Sequence, residues 1–105
     1  MGVRSRQVRA VLDRARPRRG RRVVLFFAPG PGDWAVVATK RVGGAVERNR
    51  AKRVLREAWR QVSPQVTGDL DAVLVAREAI RGATTQDLVD DMIDVLRKAA
   101  PDDHA

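Results

Sequence analysis

Arg48, Lys52, Arg56 and Arg60 recur at four-residue spacing, and Asn49, Arg50 and Arg53 stand between them. On a helix this spacing stacks cations along one side. Like charges at i, i+4 cost a free helix about 0.2–0.5 kcal/mol per pair, and only Glu47 and Glu57 offer local relief. A plainly solvated face would alternate its signs, so this one is suited to an external anion. Guanidinium and ammonium groups bind phosphate oxygens, and Asn49 adds a donor and an acceptor for backbone or sugar groups. Other chemistries have little to work with. Cysteine is absent and the one histidine is His104, in the tail. No thiol nucleophile, cysteine metal site or histidine-based triad is expected. Asp87, Asp90, Asp91 and Asp94 are spread around a helix without histidine support and read as its solvent face. No catalytic residue and no metal ligand is therefore assigned.

The elements that must position the cations follow from periodicity. Ala51, Val54, Leu55, Ala58, Trp59 and Val62 fall on one helical stripe, so a helix is expected from about Ala45 to Val62, ended by Pro64. Gly43-Gly44 lets the chain turn into it. Upstream, Val8, Val11, Leu12 and Ala15 mark a short helix over residues 5–15, with Ser5 as its N-cap and Pro17 as its stop. PRRGRR (17–22) reads as a basic turn or extended link. RVVLFF (22–27) and WAVVAT (34–39) suit strands separated by the turn signal PGPGD, and the pair is expected to form a hairpin. One more short strand fits around 40–42. LDAVLVA (70–76) is nearly continuous apolar sequence, as in a strand covered on both faces. Thr84 with Asp87 three residues on forms a capping box for a last helix, whose stripe is Leu88, Val89, Met92, Ile93 and Leu96, closed by Pro101. The order is α-β-β-(β)-α-β-α. This is an α+β fold in which helices pack on a small mixed β-sheet of three or four strands.

A chain of 105 residues is expected to be one domain: an Arg-rich segment at 1–22, a core over about 23–98 and a frayed tail at 101–105. The net charge of +8 is concentrated. Residues 1–22 hold nine Arg against one Asp, residues 40–60 eight Lys/Arg against two Glu, and residues 61–105 four Lys/Arg against nine Asp/Glu. Two basic blocks and an acidic C-terminal third point to a polyanion on one side of the molecule. No signal-peptide region or membrane-length apolar run is present, and with no cysteine the expected compartment is the cytoplasm.

The spaced run Lys40-Arg41-Val42-Gly43, Ala45-Val46, Arg48-Asn49-Arg50, Lys52-Arg53 and Arg56-Glu57 closely resembles the signature of the bacterial ribonuclease P protein subunit. The element order and the triplet Val75-Ala76-Arg77 extend the likeness over roughly residues 5 to 98. The resemblance implies a ribosomal-protein-S5-domain-2-like fold with a left-handed βαβ crossover, against the usual hand. It implies two RNA partners, the catalytic RNA subunit and precursor tRNA, whose 5′ leader the holoenzyme removes. Mg²⁺ would be held mainly by the RNA and substrate. No membrane and no DNA partner is expected. A non-enzymatic RNA-binding or ribosome-associated protein is the alternative. A DNA-reading helix is disfavoured because no short partner helix precedes Ala45 and the charge ladder suits phosphates over base edges.

Carried over by the resemblance, the face toward the RNA subunit comprises Arg48, Asn49, Arg50, Lys52, Arg53 and Arg56. The leader cleft comprises Val8, Leu12, Phe26, Thr39, Lys40 and Arg77. Phe26 and Phe27 are adjacent in a strand and face opposite sides, and the likeness puts Phe26 in the cleft. Val8 and Leu12 stand where the family presents aromatics, so weaker or less base-selective leader binding is expected. In the first basic block Arg4, Arg6, Arg9, Arg18, Arg19, Arg21 and Arg22 read as nonspecific phosphate contacts.

Overall fold

The computed structural model, which describes residues 5–66 and 69–102 with side chains over 8–66 and 69–97, lays one helix on one face of a four-stranded mixed sheet and two on the other. The elements are α1 (Ser5–Arg14), β1 (Arg16–Arg19), β2 (Val23–Pro29), β3 (Trp34–Val37), α2 (Ala45–Val62), β4 (Leu70–Ala76) and α3 (Thr85–Asp102). Short 3₁₀ turns at Ser63–Gln65 and Glu78–Ile80 follow α2 and β4.

The strand order is β1-β2-β4-β3, with β4 antiparallel to β2 and parallel to β3. The expected hairpin between residues 22–27 and 34–39 is therefore not formed. β4 lies between the two strands, and β3–α2–β4 is a crossover unit. Asp71 of β4 explains the separation. Its Oδ1 accepts the backbone N–H groups of Gly32 and Asp33 at 3.0 and 2.9 Å, and Asp33 C=O accepts the Ala72 N–H at 2.9 Å. These bonds fasten the PGPGD loop to the start of β4, so the chain leaves it along β4's far edge.

Three further expectations change. The basic link at 17–22 contains an edge strand: Pro17 pairs with Phe26 and Arg19 with Val24. Proline is tolerated there because an edge strand leaves one row of N–H groups unpaired. Arg18 also sets its guanidinium 5.6 Å from the Phe27 ring centroid, a cation–π arrangement. The extra strand near 40–42 is instead a turn, closed by Val42 N–H to Thr39 C=O and Gly43 N–H to Lys40 C=O, at 3.0 and 3.1 Å. α3 also continues through Pro101 to Asp102, past its expected stop. A proline that close to a helix end removes one intrahelical hydrogen bond and leaves the turns before it intact. Residues 103–105 of the expected tail lie outside the described residues.

β4 is covered on both faces, as its apolar run requires. On one face Val73 packs with Val11 of α1 and Ala28 of β2. On the other, Ala72, Leu74 and Ala76 pack beneath α2 and α3 among Leu55, Trp59, Leu88 and Met92. Burying each of the large side chains contributes roughly 1.5–3 kcal/mol. The buried positions of α2 are Ala51, Val54, Leu55, Ala58, Trp59 and Val62, the stripe read from periodicity. Trp59 meets Phe27 at 6.1 Å between ring centroids, tilted by 39°. The capping box also forms. Thr84 Oγ1 accepts the Asp87 N–H at 3.1 Å, and Asp87 Oδ2 accepts the Thr84 N–H at 3.0 Å.

Candidate nucleic-acid interface

With its apolar stripe against the sheet, α2 turns its cations outward. Asn49, Arg53, Arg56 and Arg60 are exposed; Arg48, Arg50 and Lys52 are half-buried. The half-burial of Arg50 has a cause: its Nη2 donates to Ala83 C=O at 2.9 Å, tying α2 to the segment that enters α3. Arg50 thus holds a structural hydrogen bond that its place in the Arg-Asn-Arg triplet did not disclose. Glu57, on the same helix, accepts from Thr85 Oγ1 at 3.0 Å. One of the two carboxylates near the ladder therefore faces α3, which leaves the outer side of α2 more positive than the sequence count suggests. Val46, 79% exposed, is the one large apolar side chain left open at the start of this face among the described residues.

The other face of the sheet carries a groove beside α1. Val8, Leu12 and Ala15 of the α1 segment pack with Phe26, Val37 and Val75, all half-buried. Strand register explains the gathering. Pro17, Phe26, Val73 and Ala35 form one cross-strand row, and Arg19, Val24, Val75 and Val37 form the next on the same face. Side chains two apart share a face, so Arg19 flanks this apolar floor, as does Phe26 within it. Phe27 points to the opposite face and the core.

At one end of the floor, where β4 stops, lies a cavity of about 620 Å³ lined by Arg21, Thr39, Arg41, Val75, Arg77 and Glu78 among others. Arg77 Nη1 donates to Gly20 C=O at 2.9 Å, so it also fastens the β1–β2 turn that carries Arg21. Lys40 is exposed in the turn between Thr39 and Arg41. The structure thus brings Thr39 and Arg77 into one cavity and sets Val8, Leu12 and Phe26 in the adjoining groove. Arg19, Arg21, Arg41 and Glu78 join them without having been singled out for the cleft. Alternation from Phe26 across an antiparallel partner would have found Arg19. Nothing local points to the other three.

The first basic block is not uniformly free. Arg22 Nη1 lies 3.0 and 3.1 Å from the two oxygens of Asp91, which corrects both the nonspecific reading of Arg22 and the solvent-face reading of Asp91. Asp87 is likewise occupied by its cap. The Thr84 N–H holds its carboxyl below the ordinary 3.8, helped by the Thr84 hydroxyl and by Arg22 and Arg21. Arg4 and the side chain of Arg6 lie outside the described residues. Among the described residues no group of three His, Cys, Asp or Glu side chains is placed to hold a metal ion. Among the same residues no helix is long and apolar enough to cross a membrane.

Fold and surface together define a small α+β protein with two cationic surfaces on opposite sides of one sheet. The model of the Ribonuclease P family matches residues 3–100, and the chain belongs to that family. It is 33% identical over 98 residues to the ribonuclease P protein component of Syntrophomonas wolfei, covering 90% of this chain and 82% of that protein. It is 48% identical over 65 residues to the component from Chloroflexus aurantiacus, covering 60% and 47%. Among solved structures, the RNase P protein of Thermotoga maritima superposes with a TM-score of 0.78 at 17% identity, over 93% of this chain and 96% of that one. The Staphylococcus aureus RNase P protein gives 0.76 at 20%, over 92% of each. These likenesses establish the fold.

Proposed function

We propose that the chain is the protein subunit of a ribonuclease P holoenzyme that matures the 5′ end of tRNA in the cytoplasm. In this reading the outer face of α2, with Arg48, Asn49, Lys52, Arg53 and Arg56, lies on the catalytic RNA subunit, and Arg50 supports that face from its inner edge. The groove of Val8, Leu12 and Phe26, ending at Thr39, Lys40 and Arg77, takes the single-stranded leader of precursor tRNA. A basic groove with an apolar floor suits single-stranded RNA, each base–aromatic stack contributing ~1–3 kcal/mol. Phe26 is the one ring on that floor among the described residues. The observation that carries the proposal is the separation of the two cationic surfaces by the sheet, which lets one small protein hold two RNAs at once. The turn Thr39–Val42 joins the groove's end to α2.

Held by the RNA and the substrate, Mg²⁺ would supply activation of the attacking water and stabilisation of the leaving oxygen. This chain's own residues bind and orient: arginines neutralise phosphates, the apolar floor accepts bases, and Thr39 offers a hydroxyl to a sugar or phosphate. The test is reconstitution with the cognate RNA subunit and a precursor tRNA at low Mg²⁺. Cleavage faster than with RNA alone is expected; equal rates overturn the proposal and leave a non-enzymatic RNA-binding protein.

A further inference from the structure

The cavity at the end of the sheet contains one group of the wrong sign for its surroundings. Arg21, Arg41 and Arg77 line it, and so does Glu78. Among the described residues the side chains of Glu78 and Arg41 have no hydrogen-bond or ion-pair partner, and Arg21 acts on Asp87 only through its charge. All four side chains are exposed, and Glu78 makes no ion pair with the three guanidinium groups. Here the 3₁₀ turn Glu78–Ile80 presents it from one wall while Arg21 and Arg41 come from two other segments.

An unpaired carboxylate in a cavity for a polyanion repels phosphate, and so weakens binding unless the ligand brings it a hydrogen-bond donor. Single-stranded RNA has two kinds of donor, the exocyclic amines of its bases and the 2′-hydroxyls. The guanidinium groups are matched to phosphates. Val75 offers an apolar wall on which a base can lie. A volume near 620 Å³ is in the range of small-ligand sites and accommodates a nucleotide.

We infer that Glu78 is a specificity-determining residue that accepts a hydrogen bond from the exocyclic amine of one leader base, while Arg21, Arg41 and Arg77 hold the adjoining phosphates. This rests on the leader reading of the groove. Cytosine, adenine and guanine each carry such an amine. Uracil turns a carbonyl oxygen toward the carboxylate, so two acceptors face each other and one is left unsatisfied. The site therefore discriminates against uracil at a single leader position.

The test uses the reconstituted holoenzyme and precursor tRNAs whose leaders carry cytosine or uracil at one position at a time, with adenine against unsubstituted purine as a second pair. At one position the wild-type complex is expected to bind the amine-bearing base roughly tenfold more tightly. Glu78→Ala is expected to bring that ratio to about one and to leave affinity for a leaderless precursor unchanged. A ratio that survives Glu78→Ala, the absence of discrimination at every position, or an equal loss with the leaderless precursor overturns the inference. So does a Glu78 effect that follows 2′-deoxy substitution in place of base identity, which would assign the carboxylate to the sugar. If shortening the leader leaves affinity unaltered, the leader reading itself fails. If leader length matters and Glu78 does not, only this inference fails.

Discussion

Arg22 Nη1 lies 3.0 Å from Asp91 Oδ1 and 3.1 Å from Oδ2, joining residues 69 apart in sequence. The pair is mostly sheltered, with side chains 20% and 13% exposed. It clamps the β1–β2 turn onto α3 at the point where that turn presents Arg21 to the cavity. Gly20, just before it, is also pressed on α3: a Cβ there would come within 2.7 Å of Val95 Cγ2. The pair's coupling is expected to be about 1 kcal/mol, since shelter raises it above that of an exposed pair. In urea unfolding, Arg22→Ala and Asp91→Ala should each lose about that much, and the double variant little more than either. Additive losses would show the two residues to be independent.

Arg50 and Arg56 are two arginines on one helix with different surroundings. Arg56→Ala should leave thermal stability within about 0.5 kcal/mol of wild type, weaken binding to the RNA subunit, and lower the salt slope of that binding by about one. Arg50→Ala should instead cost about 1 kcal/mol of stability by removing the bond to Ala83 C=O. Parallel melting curves and salt titrations separate the two.

The floor of the groove has aliphatic side chains on its α1 side. Val8→Phe should steepen the dependence of precursor affinity on leader length by adding a ring beside Phe26, a gain of up to ~1–3 kcal/mol if a base stacks on it. Filter binding with leaders of graded length measures this, and no gain would show that bases do not reach α1.

The two glycines before α2 should behave oppositely. Gly43 has φ +141°, and a Cβ there would meet Glu47 Cβ and Cγ at 2.9 Å, so Gly43→Ala should destabilise by about 1–3 kcal/mol. Gly44 is the N-cap of α2, with extended backbone, open space for a Cβ and no side-chain cap hydrogen bond. Gly44→Ser should stabilise by a few tenths, about 0.3 kcal/mol, by supplying that cap. Chemical denaturation midpoints of both variants decide the pair.

The Thr84–Asp87 cap predicts a pH dependence. The folded carboxyl is held below its ordinary value of 3.8, so the unfolded chain takes up the proton first as pH falls. Its contribution is present above that value and is lost as pH drops through the lower folded value. Asp87→Ala removes the carboxylate that the Thr84 N–H holds and should lower stability near neutrality, and the gap from wild type should narrow in acid. A gap independent of pH would show that the Thr84 N–H does not hold the charged Asp87 carboxylate.

Several features were legible because their cause is local. The α2 stripe follows from a period of 3.6 residues, the capping box from residues three apart, and the both-faces burial of β4 from an uninterrupted apolar run. The resemblance rested on the same local order, and the family comparison agrees with it. The hairpin expectation failed where locality ran out. Nothing in WAVVAT says whether β2 or β4 lies beside it; the Asp71 bonds to Gly32 and Asp33 and the return of the chain through α2 settle that.

From its residues alone, then, this protein has its helices, most of its strands, its family signature and the sign of its two basic blocks. Only the folded chain decided which arginines are engaged: Arg22 by Asp91, Arg50 by Ala83, Arg77 by Gly20. It alone gathered Arg21, Arg41 and Glu78 around Thr39. The physical reason is range. Periodicity and capping act within a few residues. A charged side chain's partner is chosen by strands and helices brought together across the whole sequence, and no spacing along the chain encodes that distance.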